Sequence, residues 1–244
     1  MYKLVGHRGF PAQYPENTLV SIHAALQTGV RAIEFDVQCS ADGTAYVFHD
    51  ENLLRITGHS ELIYKTSDAK LKQLSAHYPD RFADKFFGEP ICTLQAMMTL
   101  LLEYPNVEVF IEPKSHSIEH FGVAALMNTI LRESECLGER RRIISFHQGA
   151  LAYARQPHKE KPCENIVWVI SDFSPDTAKI AQALQPNTLC ADIKLLPPRL
   201  PSWTTAQWMI YPMDDASKLQ HYGDMGIEYI ETDDIGTMLA PQFT

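Results

Sequence analysis

The chain has 244 residues, of which 45% are hydrophobic and 21% are charged, as is typical of a globular protein with a sizeable core. The formal net charge of −9 argues against a nucleic-acid partner and against stable association with an anionic membrane. No stretch approaches the ~18 apolar residues needed to span a bilayer, and the first residues lack the apolar core of a signal peptide. The five scattered cysteines indicate free thiols, so we expect a cytoplasmic protein.

An Asp-Gly turn joins two apolar runs, 32–37 and 45–49, which is a strong signal for a β-hairpin. A reversal centred near Asp42 predicts that the numbers of paired residues sum to about 84–86. This pairing returns His49 to the side of the first run.

Beyond the hairpin, extended runs alternate with helical patterns, which is typical of parallel strands joined by crossover helices. Setting the returning arm of the hairpin aside leaves eight strands, so we predict one catalytic domain over residues 1–244 that folds as a (β/α)8 TIM-type barrel. The strands are predicted at 2–7, 32–37, 45–49, 107–112, 142–146, 165–170, 189–193, 207–211 and 227–231. Helices are predicted at about 18–28, with Asn17 or Thr18 as its cap, and at 67–74, 93–102, 118–133, 148–155, 175–184 and 216–225.

Residues 51–92 interrupt the alternation and are too numerous for an ordinary connection. They include three phenylalanines, Phe82, Phe86 and Phe87. Two interpretations of this insertion remain open: a lid or cap over the site, or a segment that covers an edge of the barrel.

Candidate functional residues lie at the ends of the predicted strands, where barrels of this type carry their active groups. Alternation along an extended segment places Glu34 and Asp36 on one face. Glu112 and Lys114 share a face at the end of a later strand, and His7-Arg8 ends the first.

The three acids Glu34, Asp36 and Glu112 would repel one another unless protonated or bridged by a cation. Because all their ligand atoms are oxygens, they suit Mg²⁺ or Ca²⁺ better than Zn²⁺.

The remaining candidates suit phosphodiester cleavage. Arg8 and Lys114 match the charge of a phosphate. His7 and His49 titrate near neutrality and suit proton transfer on opposite sides of a phosphorus atom.

Each of these residues also has an ordinary structural interpretation. Glu34 and Asp36 could form the solvated face of an antiparallel strand. Glu16 and Asn17 read more readily as capping groups than as ligands, and the role of His147 is ambiguous.

The combined motifs resemble those of the glycerophosphodiester phosphodiesterase family. The resemblance is carried by residues 6–9, 15–18, 33–37, 42–43, 48–50, 54–57 and 112–114, with thinner matches at 145–146 and 226–233.

The resemblance implies a barrel enzyme that uses a divalent metal to hydrolyse glycerophosphodiesters to glycerol 3-phosphate and an alcohol. By position, Glu34, Asp36 and Glu112 resemble the family's metal ligands. His7 and His49 are similar to its acid–base pair. Arg8 and Lys114 would then contact the phosphate. Attack by the glycerol 2-hydroxyl through a cyclic phosphate and direct attack by water both remain open.

One departure concerns recognition of the substrate. The family's usual Trp-Thr-Val-Asn run appears here as Met209–Met213, which removes a polar contact and an aromatic wall. Two further functions stay open: a phospholipase D-like enzyme acting on lysolipids or sphingomyelin, and a non-catalytic phosphate-binding barrel.

Overall fold

A closed ring of eight parallel strands confirms the predicted (β/α)8 barrel. The structure is a computed structural model that describes residues 2–156 and 162–240. Around the ring the order is β1-β9-β8-β7-β6-β5-β4-β2, and β2 pairs with β1 to close it. The strands are β1 (Lys3–Gly6), β2 (Ala32–Cys39), β3 (Ala45–Val47), β4 (Glu108–Pro113), β5 (Arg141–Ser145), β6 (Ile166–Ile170), β7 (Thr188–Asp192), β8 (Gln207–Tyr211) and β9 (Tyr229–Thr232).

Helices cover the outside of the ring and connect successive strands. Side chains of Thr18, Thr93 and Ser174 cap the N-termini of three of them by accepting a backbone N–H bond. The helices are α1 (Leu19–Gln27), α2 (Leu54–Thr57), α3 (Asp68–Leu71), α4 (Pro79–Phe82), α5 (Leu94–Leu102), α6 (Ser115–Phe121), α7 (Val123–Glu133), α8 (Gln148–Arg155), α9 (Pro175–Leu184), α10 (Leu219–Asp224) and α11 (Ile235–Leu239). In the described part of the chain, every helix is too short or too polar to cross a bilayer.

The predicted helix at 118–133 is wrong in one respect, since the structure contains two helices there. Gly122 has a φ of +83°, outside the helical region, and it separates α6 from α7. The predicted helix at 67–74 is shorter than expected, because α3 ends at Leu71 and the following backbone bonds are the tighter i+3 type.

The alternation predicted for β2 decides what fills the barrel and what packs outside it. Ile33, Phe35 and Val37 pack in the core between strands and helices. Ala32 faces inward, as Glu34 and Asp36 do further along the same strand. The apolar interior consists of Val5, Ala32, Phe110, Ile144, Val167, Val169, Cys190, Met209 and Tyr229.

The hairpin has the predicted register. Val37 pairs with Val47 in an antiparallel ladder, and their numbers sum to 84. The backbone N–H of Phe48 then donates to the carbonyl oxygen of Asp36 at 3.0 Å. His49 therefore leaves the hairpin beside the carboxyl end of β2.

The segment between β3 and α5 has a small hydrophobic core of its own. It contains short helices α2, α3 and α4, and its buried side chains form a cluster separate from the barrel core. The members of this cluster are Tyr46, Phe48, Leu53, Ile56, Ile63, Leu71, Leu74, Ala76 and Ile91. Because Tyr46 and Phe48 belong to the hairpin arm, the segment is anchored to the barrel where His49 emerges.

Candidate active site

The turn after β1 is folded tightly against α1. Arg8 and Gly9 have φ values of +53° and +92°, in the left-handed region. The backbone N–H of Arg8 donates to Glu34 Oε2 at 3.2 Å. A Cβ on Gly9 would lie 2.6 Å from Ser21 Oγ and 2.8 Å from the backbone nitrogen of Ile22. This packing directs His7 and Arg8 towards the barrel axis.

We expect Gly9→Ala to destabilise the protein by more than the ~1–3 kcal/mol typical of overpacking, because it adds a backbone clash to an unfavourable φ. Urea unfolding midpoints measure the effect. Gly43→Ala is the matched control, since Gly43 has a φ of +82° and nothing within 4 Å of its added Cβ. Equal losses in the two variants would show that the close approach to Ser21 is unimportant.

Three carboxylates meet at the carboxyl ends of β2 and β4. Each of Glu34, Asp36 and Glu112 offers an oxygen that lies within 4.8 Å of an oxygen of the other two. Glu34 and Asp36 are only 2% and 1% exposed. Glu34 Oε1 and Asp36 Oδ1 are buried without a hydrogen-bond partner among the described residues. Buried carboxylate oxygens that accept no hydrogen bond fit a hard divalent cation.

The electrostatics of the three acids differ. Burial, followed by the charge of Asp36, raises the pKa of Glu34 well above its ordinary value. Burial also raises the pKa of Glu112. Burial alone would raise the pKa of Asp36, but the charges of Lys114 and Arg8 outweigh it and lower that pKa. These shifts favour the ionised form of Asp36, whereas burial favours the protonated forms of Glu34 and Glu112.

The two cations lie against the same acids. Lys114 Nζ is 3.2 Å from Asp36 Oδ1 and donates to Glu112 Oε1 at 3.0 Å. Arg8 Nε is 3.1 Å from Asp36 Oδ2. Both side chains are largely buried and reach the cavity, so their charge is available to an anionic ligand.

Each predicted catalytic histidine is held by a carboxylate. Nδ1 of His7 lies 2.7 Å from Asp233 Oδ1, and Nδ1 of His49 lies 2.8 Å from Asp50 Oδ1. Binding through Nδ1 orients each ring and leaves Nε2 for proton transfer. Burial would lower the pKa of His7, but the charge of Glu231 and the hydrogen bond to Asp233 outweigh it and raise the pKa.

These groups converge on one cavity of about 170 Å³ at the carboxyl end of the barrel. Six of the seven predicted site residues line it, and the seventh, Asp36, contacts Lys114 and Arg8 behind the wall. The lining consists of His7, Arg8, Glu34, His49, Glu112, Lys114, Ile144, Phe146, Val169, Cys190, Tyr211 and Glu231.

A second, larger cavity of about 660 Å³ adjoins the first and shares four lining residues with it. The shared residues are His49, Glu112, Lys114 and Phe146. The rest of its wall comes largely from the segment after β3, including Asp50, Leu54 and Asp80. We call the two spaces the inner cavity and the outer cavity.

The interpretation of Glu16 and Asn17 as capping groups is wrong, because both bind site residues. Asn17 Nδ2 donates to Asp36 Oδ2 at 2.8 Å, and Thr18 caps α1 instead. Glu16 accepts from Arg8 at 2.8 Å and from both terminal nitrogens of Arg55 at 2.7 and 2.8 Å.

Arg55 connects this network to the second histidine. Its Nε and Nη2 donate to the two oxygens of Asp50 at 2.6 and 2.9 Å, and Asp50 orients His49. A charged chain therefore runs from Arg8 through Glu16, Arg55 and Asp50 to His49. It ties the segment after β3 to the turn after β1.

Sequence reasoning also missed Glu231 and Asp233 on β9 and its exit. The alternation that revealed Glu34 and Asp36 applies to β9 too, so this signal was available. His147, whose role was ambiguous, caps α8: its Nδ1 accepts from the backbone N–H of Ala150 at 3.1 Å.

The fold and this site define a barrel protein whose acids can hold a divalent cation beside two imidazoles and two fixed positive charges. The model of the glycerophosphoryl diester phosphodiesterase family matches residues 7–237. This chain belongs to that family.

Similar proteins carry the name of the same family. A glycerophosphodiester phosphodiesterase of Bacillus altitudinis is 31% identical over 66% of this chain and 65% of its own length. Glycerophosphodiester phosphodiesterase 1 of mouse is 29% identical over 62% of this chain and 45% of its own. The matched region thus spans less than two thirds of either relative.

Solved structures match over nearly the whole chain. An Oleispira antarctica phosphodiesterase in complex with its product sn-glycerol-3-phosphate has a TM-score of 0.82 and 25% identity, with 97% of this chain and 94% of that chain covered. A protein of Silicibacter pomeroyi superimposes with a TM-score of 0.84 at 20% identity, covering 98% and 92% of the two chains. The second likeness concerns the fold alone.

Proposed function

We propose that this protein hydrolyses glycerophosphodiesters to glycerol 3-phosphate and an alcohol, with dependence on a divalent cation. The observation that carries the proposal is the convergence of two carboxylate-bound imidazoles on the cavity that Glu34, Glu112, Arg8 and Lys114 also line. The product bound to the Oleispira antarctica relative supports the same substrate class.

The phosphodiester would bind between the two fixed cations. Arg8 and Lys114 supply positive charge to its non-bridging oxygens. A cation, Mg²⁺ or Ca²⁺, held by Glu34, Asp36 and Glu112 would supply further charge neutralisation there when bound.

The two histidines divide the proton transfers. His7 lines only the inner cavity, whereas His49 lines both cavities. In this assignment, His7 takes the proton from the attacking hydroxyl as its oxygen bonds to phosphorus. His49 gives a proton to the leaving alcohol oxygen as its bond to phosphorus breaks. The attacking oxygen is that of water or of the glycerol 2-hydroxyl, in which case a second step opens the cyclic phosphate with water.

Turnover of glycerophosphocholine, with and without EDTA, tests this function directly. A lysophospholipid is the comparison substrate, because exposed Phe87 (73%) and the neighbouring Phe82 and Phe86 would favour a lipid substrate. We expect metal-dependent turnover of glycerophosphocholine. Turnover of the lysophospholipid alone would support the phospholipase D-like function, and turnover of neither would support a non-catalytic barrel.

The state of the cysteines bears on the cellular compartment that we propose. The five cysteines are free thiols, four of them buried. This supports our expectation of a reducing, cytoplasmic compartment.

We expect Arg8→Ala to raise the KM for glycerophosphocholine by about tenfold or more, because a charge-assisted contact to phosphate is lost. Steady-state kinetics measures the change. Arg81→Ala is the control, since Arg81 packs over the Phe82 ring and is exposed. An unchanged KM and kcat in Arg8→Ala would contradict the assigned role.

We expect the metal-free protein to lose stability as the pH rises from about 5.5 to about 8. Burial raises the pKa of Glu231 to about 7, and the pKa values of Glu34 and Glu112 are also raised. The folded state therefore keeps protons that the unfolded chain releases near pH 4.5, so folding is disfavoured as they leave. Urea midpoints in EDTA measure this slope. A stability that increases across the range would contradict the raised pKa values.

A further inference from the structure

The inner cavity has a wall that the proposed chemistry does not use. It is formed by Cys190 on β7, Tyr211 on β8 and Glu231 on β9, and a carboxylate oxygen of Glu231 lies within 4.8 Å of one of Glu34. Tyr211 contributes an aromatic side chain with a hydroxyl group to this wall.

Glu231 is the most unusual group on this wall. It is 4% exposed, and its Oε1 is buried with no hydrogen-bond partner among the described residues. Leaving a buried carboxyl group unpaired costs free energy, because it loses water and gains no partner. The Oε1 of the nearby Glu34 also lacks a partner, but the other oxygen of Glu34 accepts a hydrogen bond from the backbone of Arg8. A ligand in the cavity would provide Glu231 with the missing partner.

The sizes of the two cavities indicate which part of the substrate each accepts. The inner cavity, about 170 Å³, lies below the ~300–1,000 Å³ of pockets for drug-sized ligands, so it suits a small group. The outer cavity, about 660 Å³, can accept alcohols of different sizes. The invariant glycerol moiety therefore belongs inside and the variable alcohol outside.

We infer that Glu231 and Tyr211 form a subsite that binds the hydroxyl groups of the glycerol moiety at the inner end of the cavity. This inference rests on the proposed function and specifies which residues select its substrate. Glu231 can bind a hydroxyl group in either protonation state, because an ionised carboxylate accepts a hydrogen bond from a hydroxyl group and a carboxylic acid donates one. The phenolic oxygen of Tyr211 can do both.

Binding of product analogues tests the subsite without turnover. Calorimetry in Mg²⁺ compares glycerol 3-phosphate with propane-1,2-diol 1-phosphate, which lacks the terminal hydroxyl, and with propane-1,3-diol phosphate, which lacks the central one. We expect the wild-type protein to prefer glycerol 3-phosphate over at least one analogue by roughly 10- to 100-fold.

The preference is then measured in variants. We expect Glu231→Leu to reduce it to about threefold or less, mainly by weaker binding of glycerol 3-phosphate. Tyr211→Phe removes a single oxygen from a half-buried side chain, so it provides the test if Glu231→Leu does not fold. Glu61→Leu, the same type of change at an exposed position that lines neither cavity, is the control and should keep the wild-type preference.

The possible outcomes separate this inference from the proposed function. Undiminished preference in both Glu231→Leu and Tyr211→Phe would overturn the subsite, even if glycerophosphocholine is hydrolysed normally. Loss of Mg²⁺ binding in Glu231→Leu, with the hydroxyl preference intact, would make Glu231 a cation ligand and would also overturn it. Failure of the wild-type protein both to hydrolyse glycerophosphocholine and to bind glycerol 3-phosphate would overturn both proposals.

Discussion

Replacing His7 or His49 with alanine is expected to lower the kcat for glycerophosphocholine by about 10²–10⁴-fold, the usual contribution of a positioned acid or base. Each ring is oriented by a carboxylate, Asp233 or Asp50, so each variant removes a group that is already placed for proton transfer. Among the described residues, His49 belongs to neither group of potential metal ligands, whereas His7 forms one with Glu34 and Glu231. Mg²⁺ affinity, measured by calorimetry, should therefore change little in His49→Ala.

His23→Ala is a suitable control, because His23 is exposed on α1, away from the cavity lining. It should retain wild-type kinetics. Retained turnover in both His7→Ala and His49→Ala would defeat the catalytic assignment. Asp233→Asn and Asp50→Asn should give smaller losses, since they disturb the orientation of a ring that is still present.

The second large effect, loss of cation binding, is expected when Glu34 or Asp36 is replaced. Glu34→Ala or Asp36→Ala should abolish measurable Mg²⁺ or Ca²⁺ binding together with turnover, because each removes a buried oxygen that has no hydrogen-bond partner to replace the cation. Calorimetric titration measures the loss. Affinity equal to that of the wild type would count against the ligand roles.

A thermal measurement separates loss of the cation from loss of the fold. At 100 times its Kd, a bound ion stabilises a protein by ~2.7 kcal/mol. For a chain of this size, that raises Tm by roughly 5–10 °C. Glu34→Gln should lose this shift yet keep or exceed the metal-free Tm of the wild type, because it mimics the protonated acid that burial favours. Glu61→Gln, on the exposed part of the segment after β3, should retain the full shift.

The charged chain from Arg8 to His49 gives the segment after β3 a role in arranging the site. Arg55 lies on α2 of that segment and donates to both Glu16 and Asp50. The segment also has its own hydrophobic cluster, so it can hold Arg55 in place. Under the proposed function, its contribution to the outer cavity would place it beside the leaving alcohol.

Much of the site was predictable because its signals are local. The alternation of side chains along a strand placed Glu34 and Asp36 inside the barrel and Phe35 outside. The Asp-Gly turn set the register that returns His49. The helix break at Gly122 was missed because apolar periodicity continues across it, whereas the backbone angle that stops the helix leaves little trace in the pattern.

The amino-acid sequence by itself determined the barrel, the hairpin and the side chains that each strand points inward, since strand and helix periods depend only on neighbouring residues. Only the tertiary structure decided which inward groups become partners. His7 and Asp233 are 226 positions apart and meet because β1 pairs with β9 when the ring closes. Arg55 likewise reaches Glu16 across 39 positions through the packing of its segment. Such pairings depend on closure and packing in three dimensions, which no local period encodes.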